Sequence, residues 1–322
     1  MSVETTSEPL AADRPPIICI LGPTASGKTD LAVNLVERQP MDIISVDSAM
    51  VYQDMNIGTA KPDAETLNRA PHRLIDFLDP AIAYSAAEFR RDALREMADI
   101  THRGRIPLLV GGTMMYFKSL LHGLAQMPAA DEATREALLA EASEKGWDKL
   151  HVKLAKVDPE SAQRIHPNDP QRISRALEVY KLTGVPLSAW QAKPTEPLPY
   201  KPLLISLFPS DRGWLHERIE RRFHLMVKQG LVDEVRALFE RGDLDESMPS
   251  IRAVGYRQVW QYLCGALDEN QMIERGIIAT RQLAKRQLTW LRSMPDLVTL
   301  DCINKDLQEE VLNLTRLIHI NE

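Results

Sequence analysis

The stretch Gly22-Pro23-Thr24-Ala25-Ser26-Gly27-Lys28-Thr29 limits what this chain can fold into more than any other. It fits the pattern G-x-x-x-x-G-K-[ST] without a mismatch. Before it, Ile17 to Leu21 is an apolar run suited to a strand buried on both faces. After it, Asp30 to Arg38 spaces its apolar residues as a helix does. Strand, glycine-rich turn and helix in that order make an anion cradle. The glycines let the backbone turn its N–H groups inward, and the helix adds the positive end of its dipole. Lys28 contributes a mobile full charge, and Thr29 a hydroxyl able to reach a metal ion. The whole stretch is therefore expected at a diphosphate or triphosphate. The competing reading, a glycine-rich turn with no ligand, has the flanking strand and helix against it. A phosphate cradle does not by itself name a reaction.

The chain's 322 residues leave room for a full α/β core and one further module. A composition 44% hydrophobic and 26% charged is ordinary for a soluble protein. No apolar run reaches the length of a membrane span. The polar, acidic stretch Met1 to Pro16 reads as neither a signal nor a transit peptide. We read residues 1–15 as a disordered lead-in and expect a cytoplasmic monomer with no membrane partner. Cys19, Cys264 and Cys302 are scattered without metal-ligand spacing. They suit a reducing compartment, packed as small apolar groups. The net charge of −6 argues against a protein that coats nucleic acid indiscriminately, while leaving room for a local basic surface.

Asp42 to Val46 is expected as a second strand ending on Asp47. That sets a carboxylate at the carboxyl end of a strand, the edge of an open α/β sheet where ligands bind. Lys61, in the loop Gly58 to Pro62, is evenly balanced between a phosphate contact and a solvated loop lysine. His72 to Phe77 reads as a short third strand. Ser85 caps a helix that runs to Arg103, with Glu88 completing a capping box. Leu108 to Val110 is a buried strand, and Gly111-Gly112-Thr113 opens a helix to Leu121. Thr113 is at once a natural N-cap and a hydroxyl on the same edge as Asp47.

From Pro128 to Pro199 no strand pattern appears. Helices over Glu132 to Lys145 and Asp169 to Leu182 lie there between prolines. Leu203 to Leu207 returns to the sheet, a helix follows from Asp211, and a last strand spans Leu297 to Leu300 before a helix from Asp306. The expected fold is α/β: a P-loop NTPase-like parallel sheet core, over residues 16–127 and 200–322, with a mostly helical insertion domain over 128–199. Near the end, Arg275 to Arg292 carries five basic residues and no acidic one. At helical spacing Arg281, Lys285 and Arg292 fall within about 40° of one another. A phosphate backbone suits such a stripe; pairing with acids elsewhere in the fold is the alternative.

On the residues alone, a kinase and another phosphate-ester chemistry both stay open. Kinases and NTPases hold Mg²⁺ with an Asp after a later strand. Here Leu108-Leu109-Val110 ends in Gly-Gly-Thr, and Asp47 is the carboxylate left for that part. Taken together, GPTASGKT, DSAMVYQDMNIGTAKP, YSAAEFRRDA, LLVGGTMMYFKSLL, QRISRALEVY, RAVGYRQ and KRQLTWLR closely resemble the tRNA dimethylallyltransferase family, from about Pro16 to Pro295 and in the family's order.

That resemblance implies a prenyl transfer from dimethylallyl diphosphate to N6 of the adenosine 3′-adjacent to the anticodon in tRNA. The Gly22 to Thr29 loop would hold the diphosphate, with Mg²⁺ partly on Thr29. Asp47 would take the proton of an amine made weakly nucleophilic by delocalisation into its ring. Thr113 and Arg222 would stand at the diphosphate and the transferring carbon. Contacts with the anticodon stem-loop are implied at Asp47, Ser48, Ala49 and Met50, at Thr113, and at Arg135. They are implied again at Gln171, Arg172, Ile173, Ser174 and Arg175, and at Arg252, Ala253, Val254, Gly255, Tyr256 and Arg257. The last group is Lys285, Arg286, Gln287, Leu288, Thr289, Trp290, Leu291 and Arg292.

The target base must leave its stack to be reached, its neighbours being read by splaying and edge hydrogen bonds, while the helical insertion clamps the stem. Met50 stands where the family commonly carries glutamine, in DSAMVY rather than DSMQVY, and a thioether lacks the paired donor and acceptor of an amide. Two other readings are a nucleotide-gated RNA-binding protein without catalysis and a prenyltransferase of free adenine nucleotides. The basic helix and the insertion favour a polymer over the latter.

Overall fold

The computed structural model describes residues 14–125 and 127–319. The lead-in expected over residues 1–15 lies, apart from its last two residues, outside those described. The chain divides into two compact units. One is built from the chain up to Leu121 and again from Leu198, and the other is His122–Pro197.

The first unit holds a parallel sheet of β1 (Pro16–Leu21), β2 (Met41–Val46), β3 (His72–Arg73), β4 (Ile106–Gly111), β5 (Lys201–Phe208) and β6 (Val298–Asp301). Their order is β3-β2-β4-β1-β5-β6, every pair parallel. Between and after the strands come α1 (Lys28–Arg38), α2 (Ala64–Arg69), α3 (Ala86–His102) and α4 (Met114–His122). β1 is central, and the period of two sends its residues alternately to two cores. Ile17, Cys19 and Leu21 pack with Phe89 and Met97 of α3 and Phe117 of α4, while Ile18 and Ile20 pack with Leu31 and Leu35 of α1. Both faces are covered, so the strand shows no polar alternation. α3 starts where expected: the Ser85 hydroxyl accepts the Glu88 N–H at 3.2 Å, and the Glu88 carboxylate accepts the Ser85 N–H at 2.7 Å.

Three expectations in this unit change. The third strand stops at Arg73 instead of Phe77, because Leu74 and Asp76 turn left-handed at φ 59° and 57°. That turn takes the N–H groups of Asp76 and Phe77 to the carbonyls of Met50 and Val51, at 2.9 and 3.0 Å. Lys61 is a structural clamp: its side chain is only 4% exposed, and its amine bonds Asp76 at 2.6 Å and the Tyr52 carbonyl at 2.8 Å. Cys264 is exposed at the end of a helix, although Cys19 is buried; all three thiols are free.

The second unit contains α5 (Glu132–Lys145), α6 (Trp147–Val157), α7 (Pro159–Arg164), α8 (Pro170–Thr183) and α9 (Leu187–Gln191) around Leu138, Leu150, Leu154, Ile173 and Leu177. Sequence spacing shows α5 and α8. It misses α6 and α7 because Pro159 sits at the first position of α7, where a proline starts a helix, and Gly146, at φ 85°, separates α5 from α6 without a loop. The unit begins at His122, earlier than the expected Pro128, and its chain ends are tied. The Thr195 hydroxyl donates to the His122 carbonyl at 2.6 Å, beside Gly123 in the left-handed region.

Back in the first unit, α10 (Arg212–Lys228), α11 (Leu231–Glu240), α12 (Tyr256–Leu263), α13 (Glu269–Ser293) and α14 (Leu307–His319) complete the chain. α10 to α13 share a core with Val51, Tyr52 and Met55. Glu234 staples that core to the loop before Lys61. Its carboxylate accepts the N–H groups of Asn56, Ile57 and Gly58, at 2.9, 2.7 and 3.1 Å, and the Tyr256 hydroxyl at 2.5 Å.

Candidate active site

The carboxyl edge of the sheet collects the candidate residues, each from a different turn. The Gly22–Gly27 loop follows β1, Asp47 follows β2, and Gly112-Thr113 follows β4. The loop's shape depends on left-handed backbone at Ala25 and Gly27, with φ 64° and 89°. Lys28 is the first residue of α1 and Thr29 the second. The Lys28 amine folds back over the loop, donating to the Pro23 carbonyl at 2.6 Å and lying 3.4 Å from the Ser26 hydroxyl. Burial, and then the charge of Arg222, lower its pKa to about 7, against a smaller opposing pull from Asp47.

Arg222 lies on α10, one turn after Arg218. The guanidinium of Arg218 donates to the Ala25 carbonyl at 2.9 Å and stacks on Trp214, 4.8 Å from the ring centre. Among the described residues Arg222 has no hydrogen-bond or ion-pair partner. Burial lowers its pKa, Asp47 works to raise it, and Arg218 lowers it again. A buried amine, a buried guanidinium and a loop of amides thus gather at one edge, with Asp47 the acid that acts on both side chains. Such an arrangement attracts a polyanion.

Asp47 is held by one oxygen. Its Oδ1 accepts the N–H groups of Ala49 and Met50 at 2.8 and 3.2 Å, leaving Oδ2 without a partner among the described residues. The Thr113 hydroxyl accepts the Ser48 N–H at 3.1 Å, and the Thr113 N–H donates to the Val46 carbonyl at 3.2 Å. Asp47 and Thr113 are therefore fixed to each other through the turn after β2. The Met50 sulfur lies 3.8 Å from the Ser45 hydroxyl.

The residues expected at RNA divide by exposure. On α13, Lys285, Arg286, Thr289 and Arg292 are exposed and Trp290 is half-buried, whereas Gln287, Leu288 and Leu291 face the interior. Arg281 is taken by Glu220 at 2.7 Å, the pairing alternative, so the open stripe is Lys285 and Arg292 with Arg286 beside them. Trp290 meets the Lys118 amine, 5.7 Å from its ring centre. Ahead of α12, Arg252 is exposed and Ala253 and Val254 are half-buried, and Arg257, in the first turn of that helix, is exposed. Gly255 is buried at φ 96°, and Tyr256 is a core residue spent on Glu234.

In the second unit, Gln171 and Arg172 are exposed in the first turn of α8, Ser174 is half-buried and Ile173 is in the core. Arg135 and Arg175 both bind Glu178, whose side chain is 0% exposed, at 3.0 and 2.8 Å. Burial works to raise the Glu178 pKa. The Arg175 hydrogen bond, the Asp131 N–H and the two positive charges outweigh it and hold the carboxylate below its ordinary value. These arginines brace the insertion core whatever else they touch.

Sequence reasoning misses two residues of the loop's surroundings. Arg218 is legible as the partner of Arg222 one helical turn away. Gln287 is named by the resemblance as an RNA contact, and nothing along the chain shows that its amide instead bonds both the loop and Gly112.

Fold and edge define the class: an α/β protein with a six-stranded parallel sheet, a glycine-rich loop after its central strand, and a half-free carboxylate at the same edge. The family model described as IPP transferase matches residues 50–294, and that described as isopentenyl transferase matches residues 15–80. The tRNA dimethylallyltransferase of Thioalkalivibrio sulfidiphilus (strain HL-EbGR7) is 60% identical over 288 residues, 89% of this chain and 90% of that protein. The crystal structure of the full-length tRNA isopentenylpyrophosphate transferase of Bacillus halodurans is 37% identical, with a TM-score of 0.71 over 96% of this chain and 98% of that one. A eukaryotic dimethylallyltransferase acting on tRNA is 26% identical, with a TM-score of 0.75 over 94% of this chain and 78% of that one. The chain belongs to the IPP transferase family. Among the described residues no helix is long and apolar enough to cross a membrane.

Proposed function

We propose that this chain transfers the dimethylallyl group of dimethylallyl diphosphate to N6 of the adenosine 3′-adjacent to the anticodon of tRNA, acting as a cytoplasmic monomer. The observation that carries the reading is that the buried Lys28 amine over the loop and the buried Arg222 guanidinium act electrostatically on each other and on Asp47, whose Oδ2 has no partner among the described residues. In the transfer the N6–carbon bond forms as the carbon–oxygen bond to diphosphate breaks. The N6 proton passes to Asp47 Oδ2, a base contribution of typically 10²–10⁴-fold. Charge accumulates on the departing diphosphate, where Lys28, Arg222 and the loop amides bind it more strongly than in the ground state.

The donor set suits Mg²⁺ held chiefly by the substrate. Among the described residues no group of three His, Cys, Asp or Glu side chains comes together to cage a metal, and Mg²⁺ ordinarily keeps its waters and takes phosphate oxygens. Thr29 would offer its hydroxyl, and the ion would offset charge on the diphosphate. The exposed cations Lys285, Arg286 and Arg292, with Arg252, Arg257, Gln171 and Arg172, would receive the anticodon stem-loop. The target base is extruded toward Asp47.

The test is incubation with tRNA and dimethylallyl diphosphate, without ATP, followed by mass spectrometry of the nucleosides and measurement of diphosphate. One prenylated adenosine per released diphosphate is expected. A protein that leaves the RNA mass unchanged here would instead be a kinase if it consumes ATP in a parallel incubation, or a binding protein if it only retains the RNA.

A further inference from the structure

Gln287 reaches the cradle from α13. Its side-chain oxygen accepts the Thr24 N–H at 2.9 Å, and its side-chain nitrogen donates to the Gly112 carbonyl at 2.9 Å. The residue is buried. The orientation of the amide is forced, since a backbone N–H only donates and a carbonyl only accepts. The Gly112-Thr113 peptide is thereby held at both ends, its carbonyl on Gln287 and its N–H on the Val46 carbonyl. Gly112 is matched to this partner: a Cβ there would lie 2.4 Å from the Gln287 nitrogen. At the other end, the bond takes the Thr24 N–H out of the phosphate nest and fixes the tilt of that peptide.

Resting on the function proposed above, we propose that Gln287 is a positioning residue. One buried amide sets the diphosphate loop at Thr24 and the active-site edge at Thr113, holding the leaving group in register with Asp47 and Thr113. Buried, and bonded to backbone at each end of its amide, Gln287 is committed to the loop and the sheet edge rather than presented to an RNA base. Its exposed neighbours Lys285 and Arg286 carry the nucleic-acid surface of the helix. At neutral pH the amide is the one straight-chain group of this length that is uncharged and supplies both a donor and an acceptor. Methionine supplies neither, and an ionised carboxylate would leave the Gly112 carbonyl facing negative charge.

The test uses the full chain with Gln287→Met and Gln287→Glu. Inorganic diphosphate is the binding probe, an anticodon stem-loop RNA the second ligand, and turnover is followed from pH 5.5 to 8.5. Gln287→Met should weaken diphosphate binding and lower kcat by about 10-fold or more, a tenfold change for each hydrogen bond worth about 1.4 kcal/mol, with RNA affinity unchanged. In Gln287→Glu, activity relative to wild type should climb as pH falls. A protonated carboxyl again offers one donor and one acceptor, whereas a merely structural role gives a flat ratio. If Gln287→Met does not fold, the ratio decides alone. Wild-type diphosphate affinity in Gln287→Met, a ratio flat with pH, or a loss confined to RNA affinity each overturns the assignment. A wild-type protein that binds neither diphosphate nor RNA would remove the proposed function and this inference together, while failure of the variants alone leaves that function standing.

Discussion

The unusual protonation of Lys28 gives the cradle a pH signature that can be worked out in advance. With no anion bound, burial and Arg222 bring the amine to about 7, so at pH 7.5 roughly one molecule in four carries the charge and at pH 9 about one in a hundred. A bound diphosphate supplies the missing counter-charge and restores the amine toward its ordinary pKa. Binding therefore takes up a proton wherever the free site is neutral and the loaded site is charged. Affinity for a diphosphate ester should fall as pH rises through 7, by about 25-fold between pH 7.5 and 9, or close to 2 kcal/mol.

The window matters, because a phosphate's last proton, with a pKa near 6, is already gone at its lower end. Isothermal titration in buffers of different ionisation enthalpy measures the uptake directly, and it should approach one proton at pH 8.5. Lys28→Arg keeps its charge throughout and should show no slope. An affinity independent of pH in the wild type, or the same slope in Lys28→Arg, would refute the reasoning.

Three further outcomes follow from the site and the insertion. Asp47→Ala should lose turnover by about 10²–10⁴-fold while RNA affinity changes little, as judged by single-turnover kinetics beside filter binding; a defect in binding alone would take the base role away from Asp47. Neutralising Lys285 and Arg292 together should flatten the dependence of log K on log salt by roughly 0.7–0.9 for each phosphate they no longer neutralise, whereas an unchanged slope would clear that face of RNA. Glu178→Gln should destabilise the insertion by about 2 kcal/mol in thermal or urea unfolding, less than a fully buried pair would cost because Arg135 is 49% exposed. Since the Glu178 pKa is lowered on folding, its contribution is present above the unfolded carboxylate range and lost as pH falls through the folded value, so the variant and wild type should converge in acid.

Short-range physics is legible along the chain itself. The β1–loop–α1 unit, the capping box at Ser85, the helices over Glu132–Lys145 and α13, and Asp47 at a strand's end each follow from periodicity, capping or backbone freedom within a dozen residues. Even the errors are local in kind: Leu74 and Asp76 in left-handed backbone cut a strand short, and Pro159 starts a helix where a break is expected.

What the tertiary structure decides is which groups are already occupied. Lys61 stands at even odds between phosphate and solvent until Asp76 and the Tyr52 carbonyl take its amine. Arg281 belongs to the basic stripe until Glu220 claims it, and Tyr256 counts as an RNA contact until Glu234 does the same. The loop itself is held from afar, by Arg218 at a separation of 193 residues and by Gln287 at 263. A hydrogen bond depends on distance and angle in space, and no pattern along the chain encodes which remote side chain will arrive. The amino-acid order therefore names the cradle and its chemistry, whereas only the packing of α10 and α13 against the sheet determines what holds that cradle in shape.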